Sequence, residues 1–282
     1  MNEANRQNND VRRAIVTGAG GALGRAIALA LARRGWTLAL ADVDLASAEE
    51  TGRRVVAAGG QARVEPLDVA CEAQWRALRQ RLEADWPGVD LLVNNAGVVC
   101  AGEVGAIAPG DWRWQLDVNL FGAIHGCQTF LDWLERNPRG AHIVNVASLA
   151  AVLAGPRMGP YNVSKAGLLA LSETLYVELR RRGVGVTVVC PGFFDSGLVA
   201  AGRFAADRER AMAAKLRDRA TATADSVAEL TLRAVARKRL YVITPLRGRV
   251  LWHVKRLAPR AWLRLMSWIY QRSIKAPRPQ KS

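Results

Sequence analysis

Apolar and polar positions follow two rhythms along the chain. Short runs dominated by Val, Leu, Ile and Ala, namely RAIVT (13–17), WTLALAD (36–42), ARVEPLD (62–68), VDLLVNN (89–95), AHIVNVAS (141–148) and GVTVVCPG (185–192), alternate with longer amphipathic stretches. Apolar runs of this kind, separated by helices, predict parallel strands buried on both faces and joined by right-handed crossovers. The pattern therefore predicts a doubly wound α/β sheet. A last strand is expected at RLYVITP (239–245), followed by two helices split at Pro259, a residue suited to a first helical position. With no internal repeat and no low-complexity linker, the expected division is an N-terminal arm (1–11), one α/β domain (12–245) and a helical C-terminal extension (246–282).

Composition agrees with a single large core: 282 residues, half of them hydrophobic and 23% charged. The net charge of +15 changes meaning once it is located. The last acidic residue is Glu229, and fourteen Lys and Arg follow it, so the first 229 residues carry 26 basic against 25 acidic groups. Only the tail is basic, which argues against nucleic acid as a partner of the whole molecule. Cys71, Cys100, Cys127 and Cys190 are scattered, with neither the pairing of a metal site nor the density of a disulfide framework, and are expected to be reduced core residues. There is no long uncharged apolar run, and MNEANRQNNDVRR lacks the apolar segment of a secretory signal, so a cytoplasmic protein is expected.

In a doubly wound sheet, ligands bind beyond the carboxyl ends of the strands. The first strand runs into TGAGGALG, where Gly18, Gly20, Gly21 and Gly24 would let the backbone approach a pyrophosphate at a helix N-terminus, or would merely allow close packing. Asp42 ends the second strand, about twenty residues further on. There a carboxylate can accept ribose hydroxyls and repel a 2′-phosphate, which favours NAD over NADP; alternatively it caps a helix, although Asp44 is the more natural cap. Arg25, after the last glycine, is expected to face solvent. Tyr161 and Lys165 share a helix face at i and i+4, and an ammonium about 4 Å from a phenol would lower its pKa by roughly three units at an effective dielectric near 20. Ser148 ends the AHIVNVAS run at the same sheet edge. Taken singly, each has a plain structural reading as surface tyrosine, snorkelling lysine or cap.

Together these motifs resemble the short-chain dehydrogenase/reductase family, in its compact single-domain branch, over roughly residues 12–245. Thr17-Gly18 through Ala22-Leu23-Gly24 resembles the family's TGxxxGxG turn, with Ala22 where glycine is commoner. Asp68-Val69 is similar to the pair that contacts adenine, and Asn94-Asn95-Ala96-Gly97 matches NNAG. Asn119 matches the helix asparagine of the catalytic tetrad, Pro191-Gly192 the PG motif beside the nicotinamide, and Ser196 stands where threonine is usual.

The resemblance implies a Rossmann-like fold and hydride transfer with an alcohol or carbonyl. It gives Tyr161 the role of general acid or base, Ser148 that of holding the substrate oxygen, and Lys165 that of binding the nicotinamide ribose and lowering the phenol's pKa. Asn119 would hold a relay water. A nicotinamide sensor or scaffold without turnover is the alternative, and an epimerase or dehydratase is disfavoured because too little chain remains for a substrate domain. The segment 193–225 corresponds to a substrate lid. Its Phe193, Phe194, Leu198, Val199, Phe204 and Met212 point to a lipophilic substrate, or simply to packing.

Self-association as a dimer or tetramer is expected through helices 110–136 and 160–182. In the tail, Trp262, Leu265, Met266, Ile269 and Tyr270 gather on one face beside Arg264, Arg272 and Lys275. That face suits a membrane surface at its inner side, or packing on the protein's own body or a second copy.

Overall fold

The computed structural model describes residues 11–275 except 219 and 221, with side chains described up to 272. The predicted arm (1–11) lies almost wholly outside the described residues, as does the end of the extension beyond 275. Seven strands form one parallel sheet. They are β1 (Arg13–Thr17), β2 (Thr37–Asp42), β3 (Gln61–Pro66), β4 (Leu91–Asn94), β6 (Ala141–Val146), β7 (Val184–Pro191) and β9 (Tyr241–Thr244), in the spatial order β3-β2-β1-β4-β6-β7-β9. The remaining two, β5 (Cys100–Ala101) and β8 (Arg203–Phe204), pair separately beyond the sheet's edge.

Side chains on a strand alternate between faces, and here both faces are buried. Ala14 and Val16 of β1 join one core while Ile15 joins the other; Leu91 and Val93 against Leu92 of β4 repeat the division. The first core is closed by α1 (Ala22–Ala32) and α10 (Ala224–Ala236). The second is closed by α3 (Glu72–Glu83), α5 (Gly122–Glu135) and α7 (Gly159–Leu179), with Trp75 edge-on to Phe130 at 6.2 Å. α2 (Leu45–Ala57) packs beside β3, and its N-cap Asp44 accepts the Ser47 amide.

Two features break the predicted regularity. The long helix expected over 110–136 divides into α4 (Pro109–Leu116), one π-helical turn (Asp117–Phe121) and α5. Next, α6 (Ala150–Leu153) intervenes between β6 and α7. The lid carries α8 (Leu198–Ala201) and α9 (Asp207–Asp218). After β9 come α11 (Leu246–Leu257) and α12 (Pro259–Lys275), divided at Pro259. Both lie against the body: the Trp252 ring packs at a tilt of 51° against Tyr241 of β9, with centroids 5.4 Å apart, and Trp262 donates its indole N–H to the Leu153 carbonyl at 3.2 Å.

Candidate active site

The strand order reverses beside β1, and the loops leaving β1 and β4 part around a cleft of about 1790 Å³. A single small-molecule site usually occupies roughly 300–1,000 Å³, so this cleft has room for two ligands side by side. One end is the glycine turn between β1 and α1. Gly18 has φ +61°, and a Cβ there would stand 2.8 Å from the Ala96 Cα; a Cβ on Gly24 would run into the Gly18 carbonyl. The N-terminus of α1 has no side-chain cap and no acidic residue in its first turn, which leaves its amide groups suited to an anionic ligand. Asp42 lies across from it, accepting the Gly20 amide at 2.8 Å and the Asp44 amide at 3.0 Å.

Gly18, Gly20, Gly21, Ala22, Leu23, Asp42, Asp68, Val69, Asn95, Ala96 and Gly97 all line the cleft, as do Ser148, Tyr161, Lys165, Pro191, Gly192 and Ser196. Three of the expected contact residues do not. Thr17 is 1% exposed and stands behind the wall, its hydroxyl donating to Val93 and accepting the Asn95 and Ala96 amides at 3.0 and 3.1 Å. Gly24 is buried beneath Gly18. Asn119 is buried too, with both ends of its amide on Val98: Oδ1 accepts the Val98 N–H at 2.7 Å, and Nδ2 donates to the Val98 carbonyl at 2.9 Å. These three shape the wall from behind.

At the other end, β6 delivers Ser148 and α7 delivers Tyr161 and Lys165. The serine hydroxyl accepts the Ala150 amide at 3.1 Å, which starts α6. The Lys165 ammonium donates to the Val146 carbonyl at 2.8 Å and lies 5.9 Å from the centre of the Tyr161 ring. A Cβ on Gly97 would come within 3.3 Å of Asn119 Oδ1 and 3.4 Å of Lys165 Nζ, so a side chain there would press where these two converge.

The electrostatics differ from the expectation. Burial pushes the Tyr161 phenol above its ordinary range, against the opposing effect of its hydrogen bond with the Ser148 side chain. Burial also pulls Lys165 down to about 8. Spacing alone had the lysine lowering the tyrosine; in the protein by itself, desolvation is the largest influence on each group.

Several participants escaped sequence reading. Arg25 does not face solvent. It is half-buried, donating to the Gly20 carbonyl and the Thr51 hydroxyl, each at 3.0 Å, so it braces the glycine turn. Gln115 is fully buried and holds the loop after Gly97 through the Cys100 amide and Val98 carbonyl. Arg157, at φ +61°, and Glu209 of α9 form an ion pair at 3.6 Å within the cleft wall. Each relies on a partner distant in sequence, so no local pattern announces it. The six apolar lid residues named from the sequence all lie on the wall, and Glu209 is the charged exception beside them.

A parallel sheet with a glycine turn at its first crossover and a Ser, Tyr and Lys set facing it defines a dinucleotide-binding α/β oxidoreductase. The short chain dehydrogenase family profile matches residues 12–205. A Mycobacterium tuberculosis protein named "Probable oxidoreductase EphD" is 34% identical over 254 residues, 87% of this chain and 43% of that protein. The chain thus spans less than half the length of this relative. Nodulation protein G of Rhizobium meliloti is 35% identical over 187 residues, 66% of this chain and 75% of that one. Among solved structures, a short chain dehydrogenase/reductase from Burkholderia phymatum in complex with NAD superposes with a TM-score of 0.83 at 33% identity, covering 88% of this chain and 94% of its own. The chain belongs to the short-chain dehydrogenase family of oxidoreductases.

Proposed function

We propose that this protein transfers hydride between NAD and the alcohol or carbonyl carbon of a lipophilic small molecule, with Tyr161 as general acid or base. The observation that carries the reading is the pairing of the Ser148 and Tyr161 hydroxyls on the cleft wall, with Lys165 one turn along, facing the glycine turn and Asp42. The bound dinucleotide would supply the redox chemistry and, when oxidised, a positively charged ring. The remaining tasks fall to the chain. Ser148 Oγ holds the substrate oxygen. Tyr161 Oη gives its proton to that oxygen as negative charge develops there in reduction, and takes a proton from the hydroxyl in oxidation. A phenol kept protonated by burial is poised as an acid; its use as a base needs positive charge beside it, which the Lys165 ammonium supports from one helical turn away.

Asn119 serves here by fixing the Val98 loop. A relay water would draw on the second lone pair that the amide oxygen keeps beside the Val98 N–H. The carboxylate of Asp42 favours NAD over NADP, and the apolar lid favours a lipophilic substrate. Self-association through helices 110–136 and 160–182 belongs to the same proposal, supported by the exposure of Phe121, Val163 and Val177 on them.

The test pairs a substrate panel with one substitution. Alcohols and carbonyls of graded chain length, assayed with NAD and NADP, should show kcat/KM rising with chain length and higher with NAD. Tyr161→Phe should lower turnover by about 10²–10⁴-fold, the usual worth of a positioned acid or base. NAD binding by that variant, read by fluorescence titration, should stay within about twofold, since the phenol is not needed to hold the dinucleotide. Turnover left intact in Tyr161→Phe would overturn the role assigned to it.

A further inference from the structure

Among the described residues, the tail leaves one chemically specific surface uncovered. α11 turns Gly248, Trp252 and Lys255 toward the body, while Leu246, Val250, Val254 and Leu257, spaced i, i+4, i+8 and i+11, are 71%, 55%, 46% and 85% exposed. These four residues form one stripe, with Arg247 on one flank and Arg249 and Arg256 on the other. α12 repeats the arrangement. Trp262, Met266 and Tyr270 face inward, and Leu265, Trp268 and Ile269 face outward, with the Arg272 guanidinium stacked 3.9 Å over the Trp268 ring.

Charge identifies the partner. Residues 246–282 hold ten Lys and Arg and no acidic residue. A two-fold contact with a second copy would set this cationic face against itself, and the nearly neutral body offers little countercharge. Nucleic acid would answer the arginines but would leave the aliphatic stripe in water. An anionic bilayer answers both, with arginines among the headgroups and the stripe at the acyl boundary. No helix among the described residues is long and apolar enough to cross a membrane, which leaves the helix lying in the interface.

The stripe also has a telling position. Leu246 and Val250 line the cleft, together with Phe193 and Met212, which are 44% and 53% exposed. We infer that the outer faces of α11 and α12 dock on an anionic phospholipid surface, with the cleft mouth turned toward the lipid. Docking is independent of the reaction; delivery of an apolar substrate from the bilayer rests on the function proposed above.

The experiment is flotation of the full chain with vesicles of phosphatidylcholine alone and of phosphatidylcholine mixed with phosphatidylglycerol, at low and high salt. The protein should float with the anionic vesicles at low salt and about tenfold less with neutral ones, because cations near the surface contribute only when it is charged. Val254→Asp/Leu257→Asp alters exposed positions away from the cleft wall. It should lose flotation about tenfold while keeping turnover of a water-soluble alcohol.

Three results would overturn the inference: full-length protein left behind by anionic vesicles, a double variant floating like the parent, or light scattering showing that the double change splits an oligomer into monomers. The last would assign the stripe to a second copy. Equal binding to neutral vesicles would remove the part given to the arginines. Intact flotation with no activity on long-chain alcohols would defeat the substrate reading alone.

Discussion

The carboxylate of Asp42 accepts two backbone amides, from Gly20 and Asp44, and a carboxylate has about four acceptor positions. Roughly half its capacity therefore remains for hydroxyl donors, while its charge opposes a phosphate at the same spot. Arg25 stands close by on the Gly20 carbonyl, a cation that would moderate this opposition. Asp42→Asn keeps an acceptor for the amides and removes the negative charge. We expect it to shift the ratio of kcat/KM for NAD over NADP by at least about tenfold toward NADP, the size of one charge contact of about 1.4 kcal/mol. Steady-state kinetics with both dinucleotides measures it, and an unmoved ratio would show that Asp42 does not set the preference. The position of Asp42 was legible because strand length and glycine spacing place it. That of Arg25 was not, since a helical arginine reads alike whether it is solvated or folded back onto a loop, and its second partner, Thr51, is 26 residues away. The Tyr161 and Lys165 pair was likewise legible as a pair, but its pKa values depend on burial, which spacing does not contain.

β6 and β7 meet through a buried polar contact that makes their pairing sensitive to acid. The His142 Nε2 lies 2.8 Å from the Thr187 hydroxyl, and that hydroxyl donates to the Arg239 carbonyl at 2.7 Å, so the imidazole must be the donor in the first bond. Burial, with a smaller effect of Lys238, pulls His142 down from 6.5 to about 4. The unfolded chain then takes up a proton at a higher pH than the folded one. This contribution to stability is fully present above about pH 6.5 and is lost as pH falls toward 4, a swing of about 3 kcal/mol. Urea midpoints measured at steps between pH 6.5 and 4.5 should fall more steeply for the parent than for His142→Gln, which has an amide donor but no proton to gain. Parallel slopes would clear His142 of the effect. At this scale the main strands and helices were readable from periodicity. β5 and β8, two residues each, carry no period to read, and the π turn at Asp117–Phe121 hides inside an amphipathic pattern. That turn aims Asn119 at Val98, while a Cβ on Gly122 would press on Val69 within 2.8 Å.

Across the whole molecule, the extension belongs to the wall of the cleft. Gly248 of α11 lies so close to Leu149, the residue after Ser148, that a Cβ would approach the Leu149 side chain to 2.6 Å. Further along, the Tyr270 hydroxyl donates to Glu103 at 2.8 Å, and the Arg157 guanidinium sits 5.1 Å over the Tyr270 ring. The tail thus grips the segment between Ser148 and Tyr161 at Leu149, Leu153 and Arg157. Periodicity revealed one broad apolar arc on α12 but not which half meets protein, because that choice depends on the shape of the 149–157 segment. Trp262, 6% exposed, is the deepest anchor of the inward half. Trp→Ala at a buried site costs about 3–5 kcal/mol, enough to release a terminal helix locally while the sheet stays folded. Trp262→Ala should therefore speed tryptic cleavage within the tail at least about tenfold and raise the KM for the substrate proposed above, because the 149–157 segment that the tail steadies lines the cleft. If cleavage and KM both stay at parental values, the remaining contacts at Gly248 and Tyr270 hold the tail without the indole.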